Sequence, residues 1–339
     1  MAATTRIFLT GASGYIGGEI LHALRKASPN YQVSALVRDQ AKGATITKAY
    51  PDVRIVLGDL DSVSLVEEEA TKTDVVIHAA SSSHIKSVEA IARGLSRRDS
   101  SVPPHWIQIS GASVLSISDI FQGRFGEGSD ETFSDVDGAE QLREIITRNA
   151  GRRVVDNFIL NLTGPKTALV FPPIIYGQGQ GPVSQRSVQI PELARVAIQT
   201  GAAIQVGKGD STWSNVHVAD VSDIFVKLVQ KAVRGESNGL WNRDGLYFAG
   251  NTAVNFKQIS QKVAEAAKDL GLIESASVRE VGHEEADTLS SHGAVLWGTN
   301  AQQNSQRARQ LLGWEPKGKS LKEEIPETVR VEAARLGKL

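Results

Sequence analysis

The sequence predicts an α/β fold in which a doubly wound parallel sheet carries a smaller C-terminal α/β lobe. Three observations predict it. An apolar run at residues 7–9 stops at a glycine-rich turn, and an amphipathic helix follows. Strand-like apolar segments then alternate with helical segments as far as Phe171, which is the pattern of a parallel sheet covered on both faces. Beyond Phe171 the alternation loosens, as expected of a second lobe interleaved with the first.

The overall composition excludes several classes of partner. Lysine and arginine together number 37 against 38 aspartates and glutamates, so no global field recruits nucleic acid or an anionic membrane. There is no cysteine, which excludes disulfides, thiolate nucleophiles and cysteine-ligated metals. The seven histidines show no metal-ligand spacing, and no apolar run reaches the ~18 residues of a spanning helix. With no leader segment either, we expect a cytoplasmic protein whose partner is a small-molecule substrate.

The turn after the first strand has the spacing of a dinucleotide-binding site. Three glycines follow one another at three-residue intervals between a strand and a helix. The first permits a tight turn, the second lets backbone N–H groups approach a pyrophosphate, and the third lets the helix pack closely on the strand. The helix N-terminus then faces the anion. The residues of this Rossmann-like turn that are predicted to bind the cofactor are Gly11, Ser13, Gly14, Tyr15, Ile16 and Gly17.

The end of the second strand, residues 32–37, favours NADP(H) over NAD(H). An acidic residue at this place would hydrogen-bond the ribose 2′-hydroxyl, whereas here Arg38 follows the strand. A guanidinium can pair with a 2′-phosphate, and Lys42 is a second candidate cation. Asp39 opposes this prediction, because a shift of one residue would bring a carboxylate near the ribose. The alternative for Arg38 and Lys42 is a solvated loop.

Four further strands are predicted at residues 53–57, 74–78, 106–109 and 167–171. In a parallel sheet the ligand lies at the carboxyl ends of the strands, so the residues that follow them are predicted to contact the cofactor. Asp59 would accept a hydrogen bond from the adenine while Leu60 packs on the ring, although Asp59 is equally a candidate helix N-cap. The other predicted contacts are Ala79, Ala80, Ser81, Ser110, Pro172 and Ile174.

The rest of the chain divides into one long loop, several helices and two short strands. Residues 116–137 are poorly patterned and are predicted to be an excursion over the active-site mouth or a disordered loop. Helical patterns occur at residues 139–162, 191–199, 222–233, 256–270 and 321–336, and strand patterns at 214–218 and 246–249. We assign residues 1–176 and 215–250 to a nucleotide-binding domain, and residues 177–214 and 251–339 to a substrate-binding lobe.

In their order and spacing, the motifs of this chain resemble those of the extended short-chain dehydrogenase/reductase family, the NAD(P)-dependent epimerase/dehydratase-like proteins. The resemblance covers nearly the whole chain and is carried by residues 10–17, 58–60, 78–80, 172–177, 215–221 and 305–316. It implies a sheet of about seven strands and a smaller C-terminal substrate lobe, with NAD(P) between them. By analogy with the family, it also implies a homodimer formed through helices of the central region.

One departure from the family concerns its catalytic pair. Family members carry Tyr-x-x-x-Lys on one helix, where the ammonium holds the ribose and lowers the pKa of the phenol for proton transfer. Between Lys86 and Lys166 this chain has neither a tyrosine nor a lysine, and the family spacing puts Ile146 and Ala150 at those places. Gly111 stands where the family has an assisting serine. The chain therefore resembles an atypical branch of the family.

Three side chains are candidate catalytic replacements for the missing pair. Ser113 follows the fifth strand and is predicted to point into the pocket, with loop hydrogen bonding as the alternative. His84 follows the fourth strand and carries an imidazole that titrates near neutrality; the alternative is a solvent-facing residue at a helix start. Tyr176, after the sixth strand, is the phenol nearest the cofactor by topology, and its alternative is to line the pocket. Arg152 and Arg153 fall near the lost lysine and would bind ribose or phosphate, unless they are exposed on the helix.

A second departure indicates the substrate. Sugar-nucleotide members of the family usually carry an arginine four residues before the histidine that is His217 here, and Trp213 stands in its place. A tryptophan offers a flat apolar face, so we expect a small, weakly charged carbonyl or hydroxy compound, unless Trp213 packs inside the lobe. Arg186 would bind an anionic group of the substrate or form a surface salt bridge.

Two classes of function stay open from the sequence. The first is an NADP(H)-dependent oxidoreductase or epimerase-like enzyme, since hydride transfer chiefly needs positioning by the protein. The second is a non-catalytic NADP(H)-binding sensor or regulatory protein, because fold alone never establishes activity and the catalytic pair is missing. A non-redox isomerase or lyase that keeps the cofactor structurally is a further alternative. We favour an enzyme, since residues 172–177 and the lobe around Trp213 have the pattern of an intact substrate cleft.

Overall fold

The computed structural model describes residues 4–339, so residues 1–3 of the predicted nucleotide-binding domain lie outside the described residues. The strands are β1 (Arg6–Thr10), β2 (Gln32–Val37), β3 (Arg54–Leu57), β4 (Val75–His78), β5 (His105–Ile109), β6 (Thr132–Ser134), β7 (Lys166–Phe171), β8 (Ile174–Tyr176), β9 (Ala203–Val206), β10 (Thr212–His217), β11 (Leu246–Phe248), β12 (Thr252–Asn255), β13 (Val278–Val281) and β14 (Gln302–Asn304). The helices are α1 (Tyr15–Ala27), α2 (Gln40–Ala49), α3 (Val63–Thr71), α4 (Ile85–Ser96), α5 (Ile117–Gln122), α6 (Ala139–Arg148), α7 (Val154–Leu160), α8 (Gln189–Thr200), α9 (Val218–Val233), α10 (Phe256–Asp269), α11 (His283–Leu289), α12 (Gly293–Gly298), α13 (Gln306–Leu312) and α14 (Leu321–Arg335). None of the helices within residues 4–339 has both the length and the apolar character that a bilayer crossing requires.

The main sheet has seven parallel strands in the order β11-β7-β5-β4-β1-β2-β3. From β1 the chain moves outward through β2 and β3, then crosses to β4 on the other side of β1 and continues through β5 and β7. This reversal leaves a crevice beyond the carboxyl ends of β1 and β4, where ligands bind in open α/β sheets. The predicted doubly wound α/β fold and its sheet of about seven strands are confirmed.

Both faces of the main sheet are buried, which explains why the sequences of its strands are largely apolar. Along β1 the side chain of Phe8 packs into the layer that includes α3 and α4, whereas Ile7 and Leu9 pack into the opposite layer with α1 and α9. All three side chains are at most 1% exposed. With its faces covered in this way, the sheet can present a ligand site only at its ends.

The C-terminal lobe contains three small sheets and a group of helices. One sheet has β10 between β8 and β12, a second pairs β9 with β13, and a third pairs β14 with β6. Helices α8, α10 and α14 pack against one another. The pairing of β6 with β14 ties the segment after β5 to the C-terminal part of the chain.

The pairing of β8 bears on the assignment of the two domains. We placed residues 174–176 in the nucleotide-binding domain, but Ile174–Tyr176 pairs with β10 in the lobe sheet. The later strand β11, in contrast, completes the main sheet beside β7. The division into two domains stays a proposal, and strand pairing favours a boundary directly after β7.

The prediction of one helical segment over residues 139–162 is wrong. The chain forms two helices, α6 and α7, with a turn between them. The side-chain amide of Asn149 donates to the carbonyl of Ile145 at 2.7 Å and closes the end of α6, and Gly151 follows in the turn. Beyond this break, Arg153 reaches the residues that follow β5.

The predicted excursion at residues 116–137 is partly ordered, since it contains α5 and β6. Asp135, which follows β6, is fully buried and accepts hydrogen bonds from the backbone N–H groups of Phe248, Gln306 and Arg307 at 2.9 to 3.0 Å. Burial raises the pKa of Asp135, and these N–H groups oppose that rise. One carboxylate thus fastens the excursion to β11 and to α13.

Candidate functional site

Two of the three glycines in the turn after β1 occupy places that only glycine fits. Gly11 has a φ of +84°, and a Cβ there would lie 2.8 Å from the backbone that follows β4. A Cβ on Gly17 would lie 2.2 Å from the carbonyl oxygen of Gly11. Gly14 closes the turn by donating its N–H to the Gly11 carbonyl at 2.8 Å. The first N–H groups of α1 therefore face the crevice, where they can bind an anion.

A groove extends from this turn across the carboxyl ends of β1, β2, β3 and β4. It is lined by Gly11, Ser13, Gly14, Leu36, Arg38, Gly58, Asp59, Leu60, Asp61, Ala79, Ala80 and His84. Small residues and free backbone N–H groups lie at the turn, and a guanidinium lies at the far end. These are the features of a site for a dinucleotide, and they fit the pyrophosphate and adenosine portions of NAD(P).

The side chains of Arg38 and of the adjacent Asp39 have different surroundings in the structure. Asp39 is the N-cap of α2, and its side chain accepts the backbone N–H of Lys42 at 2.9 Å. That carboxylate is therefore committed to the helix end. Arg38 lines the groove and has no hydrogen-bond or ion-pair partner within residues 4–339. The Lys42 side chain is exposed and is not one of the groove-lining groups of the described chain.

Asp59 is not the N-cap of the next helix, because Ser62 holds that position in α3, but its side chain fastens the turn before the helix. Its Oδ1 accepts the backbone N–H of Ser62 at 2.9 Å and the Ser62 hydroxyl at 2.8 Å, at the start of α3. The Ser62 hydroxyl holds the pKa of Asp59 below its usual value. Asp59 also lines the groove beside Leu60, and its second oxygen makes no contact with Ser62. The turn contact therefore leaves the second oxygen of Asp59 able to accept a hydrogen bond from a ligand, and its contact with the adenine stays a prediction.

Other predicted cofactor contacts lie around the groove and serve the scaffold. The Tyr15 hydroxyl donates to the carbonyl of Gly177 at 2.6 Å and so joins the glycine turn to the segment after β8. The Ser81 hydroxyl accepts two backbone N–H groups of its own loop. Pro172 is buried, and Ile174 is fully buried within β8. Their contact with the cofactor stays a prediction, as does that of Ile16.

Beneath the groove a buried histidine joins the ends of β1 and β4. His78 Nδ1 lies 2.6 Å from Thr10 Oγ1, and its Nε2 lies 3.4 Å from Ser87 Oγ. Burial lowers the pKa of His78 to about 3, with a smaller effect from neighbouring His84. The ring is therefore neutral near pH 7. The sequence places His78 in the motif at residues 78–80 but predicts no role for it. The ring fixes the two strand ends from which the groove-lining turns begin.

His84 lies at the groove with both ring nitrogens engaged. It is the N-cap of α4, where Nδ1 accepts the backbone N–H of Ser87 at 3.3 Å and lies 3.0 Å from the Ser87 hydroxyl. Its Nε2 lies 3.3 Å from Asp61 Oδ1. These contacts support the helix-start role, and a catalytic His84 stays a hypothesis.

Tyr176 is buried in the lobe, only 2% exposed. Its hydroxyl donates to the carbonyl of Lys319 at 2.8 Å, and its ring packs edge-on against His217. Burial, reinforced by Asp220 and other nearby carboxylates, raises the pKa of Tyr176 well above its usual value. These contacts support a structural role, so the catalytic hypothesis for Tyr176 enters no step of the mechanism proposed below.

At the carboxyl end of β5, Arg153 meets two serines. From the N-cap position of α7 its guanidinium donates to Ser110 Oγ at 2.8 Å and to Ser113 Oγ at 3.3 Å. It also pairs with Asp156, 2.5 Å from its Nη2, and the Asp156 side chain is fully buried. Burial raises the pKa of Asp156, and Arg153 and the Ser110 hydroxyl oppose the rise. The cluster thus brings a guanidinium, a buried carboxylate and two hydroxyls together at the carboxyl end of β5.

Sequence reasoning considered Arg153 but missed Asp156. The signal was the three-residue spacing of an arginine and an aspartate at the start of a helix, which places them side by side. The adjacent Arg152 points elsewhere, since its guanidinium lies 4.6 Å from the centre of the exposed Phe121 ring. Two neighbouring arginines therefore have different surroundings.

Trp213 and Arg186, the two side chains from which the substrate was predicted, have structural contacts instead. Trp213 is 5% exposed and packs in the core of the lobe, where its Nε1 donates to Thr299 Oγ1 at 3.3 Å. Arg186 pairs with Glu192 at 2.7 Å and with Glu332 at 2.9 Å. The expectation of a flat tryptophan face in the pocket therefore has no support in this geometry.

Comparison with known proteins gives one family model and one similar relative at substantial identity. The family model, described as NAD(P)H-binding, matches residues 11–144. The protein described as oxidase ucsJ, from an Acremonium species, is 37% identical over 345 residues, which cover 98% of this chain and 99% of that protein. An uncharacterized protein of Saccharomyces cerevisiae is 23% identical and covers 94% of this chain and 97% of its own length.

Solved structures resemble the whole chain in fold. The PbgP3 protein from Burkholderia pseudomallei has a TM-score of 0.67 at 17% identity and covers 98% of both chains. The dTDP-glucose 4,6-dehydratase DesIV from Streptomyces venezuelae, solved with NAD and TYD bound, has a TM-score of 0.64 at 16% identity and covers 98% of both. UDP-glucose 4-epimerase from Thermotoga maritima has a TM-score of 0.61 at 14% identity, covering 98% of this chain and 100% of that one. At these identities the likeness shows the fold.

Proposed function

Since the chain belongs to the extended short-chain dehydrogenase/reductase family, we propose that it is an NADP(H)-dependent oxidoreductase of the atypical branch. Its substrate would be a small, weakly charged carbonyl or hydroxy compound. The observation that carries the proposal is the groove, in which a turn suited to a pyrophosphate lies in one cleft with Arg38, a guanidinium that pairs with no other side chain of residues 4–339. Similarity to a protein described as an oxidase, over nearly the whole chain, supports a redox reaction.

The surroundings of Arg38 support NADP(H) as the cofactor. The neighbouring carboxylate of Asp39 caps α2, so it is not available to the ribose 2′-hydroxyl as long as the cap is kept. A guanidinium with unused donors at this place can bind a 2′-phosphate through charge-assisted hydrogen bonds. Asp59 Oδ2 and Leu60 would contact the adenine, and Ala79 and Ala80 leave room for the cofactor to lie against the chain.

The proposed chemistry needs one group of the protein near the reacting oxygen. When bound, the reduced nicotinamide supplies the hydrogen and the two electrons that a carbonyl carbon gains. Ser113 lies at the carboxyl end of β5 and is only partly buried, so its hydroxyl can reach a substrate oxygen. We assign Ser113 as the group that donates a proton to that oxygen.

Two contacts support a weakly charged substrate. Arg186 is neutralised by Glu192 and Glu332, so it offers no free guanidinium for a diphosphate. Trp213 stands where sugar-nucleotide members of the family carry their arginine, and it is buried. Neither position presents a free cation to a sugar nucleotide.

The cofactor proposal is tested by substituting the groove arginine. Arg38→Gln is expected to raise the Kd for NADPH about 10- to 100-fold, because each charge-assisted hydrogen bond to a phosphate contributes ~1.5–3 kcal/mol, and to change the Kd for NADH less than about twofold. Titration of NADPH and NADH fluorescence measures both. Lys42→Gln removes the same charge outside the groove and is the matched control. Tighter binding of NADH than of NADPH by the unsubstituted protein would contradict the proposal.

Turnover is tested with the same protein and a panel of small aldehydes, ketones and enones. Loss of NADPH absorbance with at least one compound is expected, and Ser113→Ala is expected to reduce kcat about 10²- to 10⁴-fold, the usual range for a general acid. Binding of NADPH by Ser113→Ala should be unchanged. Confirmed binding of NADPH without turnover over the whole panel would contradict an oxidoreductase.

The sensor alternative rests on one sequence fact, that residues 87–165 contain neither tyrosine nor lysine. A sensor must bind NADP+ and NADPH with different affinities, since a ligand shifts an equilibrium only through its differential affinity. Titration with each form distinguishes the cases: unequal affinities without turnover favour the sensor, and equal affinities leave it no signal.

A further inference from the structure

The hydroxyl groups of Ser110 and Ser113 share one guanidinium but have different surroundings. Ser110 is 6% exposed, receives a hydrogen bond from Arg153 Nη2, and is close enough to Asp156 to lower the pKa of that carboxyl. Ser113 is partly exposed and receives a hydrogen bond from Arg153 Nη1. Ser110 therefore belongs to the interior of the cluster, and Ser113 lies at its partly exposed edge.

The direction of the hydrogen bond determines what Ser113 can do. Arginine has only donors, so the Ser113 oxygen must be the acceptor of the bond from Nη1. The hydroxyl hydrogen of Ser113 is then left to donate, and the described residues offer it no acceptor within hydrogen-bond distance. A hydroxyl held in this way keeps its hydrogen available for a further acceptor, such as a substrate oxygen.

The Asp156 carboxylate and the Ser113 hydroxyl contact different sides of the Arg153 guanidinium. Asp156 Oδ2 lies 2.7 Å from Nε and 2.5 Å from Nη2 of the guanidinium, whereas Ser113 lies against Nη1. Ser113 thus faces the side of the guanidinium that is remote from the carboxylate. A positive charge near a hydroxyl favours its deprotonated form, and a low local dielectric strengthens that effect.

We propose that Arg153 is a positioning residue that polarises Ser113, and that the Ser113–Arg153–Asp156 arrangement supplies the function of the absent phenol and ammonium. The role of this arrangement in turnover rests on the proposed function. In carbonyl reduction the O–H bond of Ser113 breaks as the substrate oxygen takes the proton and becomes a hydroxyl. One proton from the bulk solvent then returns to the serine oxygen at the partly exposed Ser113, so each turnover consumes one solvent proton and the protein ends the cycle unchanged.

The absence of cysteine from the chain allows a direct measurement of this polarisation. Ser113→Cys introduces a single thiol, and the pH dependence of its alkylation by iodoacetamide reports the thiol pKa without cofactor or substrate. We expect a pKa about one unit below the ordinary ~8.5, which is about tenfold more thiolate at a given pH below that range. Ser82→Cys, at an exposed serine of the loop after β4, provides the reference thiol.

Removal of the guanidinium should abolish the shift. Because Arg153→Met alone would leave Asp156 buried and unpaired, the ion pair is replaced as a whole by Arg153→Met with Asp156→Leu in the Ser113→Cys background. The thiol pKa is expected to rise by at least one unit. Arg152→Met removes the same charge from the neighbouring residue, which lies over Phe121, and is expected to leave the pKa unchanged. Arg153→Lys keeps a cation and is expected to restore part of the shift.

The outcomes separate this inference from the proposed function. A thiol pKa in Ser113→Cys equal to or above that of Ser82→Cys, or one that does not respond to replacement of the ion pair, overturns the inference even if NADPH is bound and oxidised. A lowered pKa that rises when the pair is replaced supports the inference, even if no variant turns over a carbonyl and the proposed function fails. In an active protein, Arg153→Met with Asp156→Leu should lower kcat and leave the Kd for NADPH within about twofold.

Discussion

The buried histidine beneath the groove predicts a specific dependence of stability on pH. His78 has an ordinary pKa of 6.5 in the unfolded chain and a pKa of about 3 in the folded protein. A group whose folded pKa is lowered contributes stability that is present above its unfolded pKa and lost as the pH falls toward its folded pKa. The unfolded chain therefore takes up a proton that the folded protein rejects, and the loss begins near pH 6.5.

The size of this loss follows from the two pKa values. Between pH 7 and pH 5.5 the unfolded imidazole goes from mostly neutral to mostly protonated, and the folded one stays neutral. The free energy of unfolding should fall by ~1.2 kcal/mol from His78 alone. With a urea m-value of ~3 kcal/mol/M, the midpoint shifts by ~0.4 M. His105, whose pKa burial lowers to about 4, should add a loss of similar size.

The assay compares urea unfolding of the unsubstituted protein and of His78→Asn at pH 7.0, 6.5, 6.0 and 5.5. Asparagine keeps a polar group near Thr10 but has no proton to gain in this range. The variant is expected to be less stable at pH 7, because it leaves the space of the ring empty. The decisive quantity is the difference in slope with pH, which that cavity does not affect. Equal slopes for the two proteins would refute a neutral buried His78.

Two further predictions concern residues at the glycine turn and in the lobe. Tyr176→Phe is expected to lower the free energy of unfolding by about 1–2 kcal/mol, because it leaves the Lys319 carbonyl without its donor. It is expected to change kcat less than about twofold. A loss of kcat with an unchanged KM would instead support a catalytic phenol. Gly17→Ala would place a Cβ 2.2 Å from the Gly11 carbonyl oxygen, so the turn must shift. We therefore expect the binding of NADPH to weaken at least about tenfold in a fluorescence titration. Unaltered binding would contradict the proposed role of the turn.

The sequence was most informative where one short segment determines both structure and role. The glycine turn is such a segment, because the φ of Gly11 and the close contact of Gly17 depend on residues within a few positions of one another or on the adjoining strand. The strands of the main sheet were predicted because burial on both faces requires apolar runs, as at Ile7, Phe8 and Leu9. The fold class and sheet follow from these local patterns.

The remainder of the site depends on contacts between distant segments, which one sequence does not display. Arg153 reaches Ser110 and Ser113 only because a turn interrupts the predicted helix, and that turn is invisible in the apolar periodicity. Asp156 becomes a functional candidate only when its burial is known. His78 reads as one more strand residue until Thr10 is placed beside it. The spacing of Arg153 and Asp156 was available as a signal, but its significance required the position of β5.

The place of β11 in the main sheet has a consequence for biosynthesis. β11 pairs with β7, but the ribosome delivers it only after the whole segment between Phe171 and Leu246 has been made. At ~5–20 residues per second, the outer edge of β7, with its unpaired backbone N–H and C=O groups, stays uncovered for several seconds on the nascent chain. An uncovered strand edge can pair with strands of other chains. Chaperone demand during translation should therefore peak in this interval and end when β11 leaves the exit tunnel.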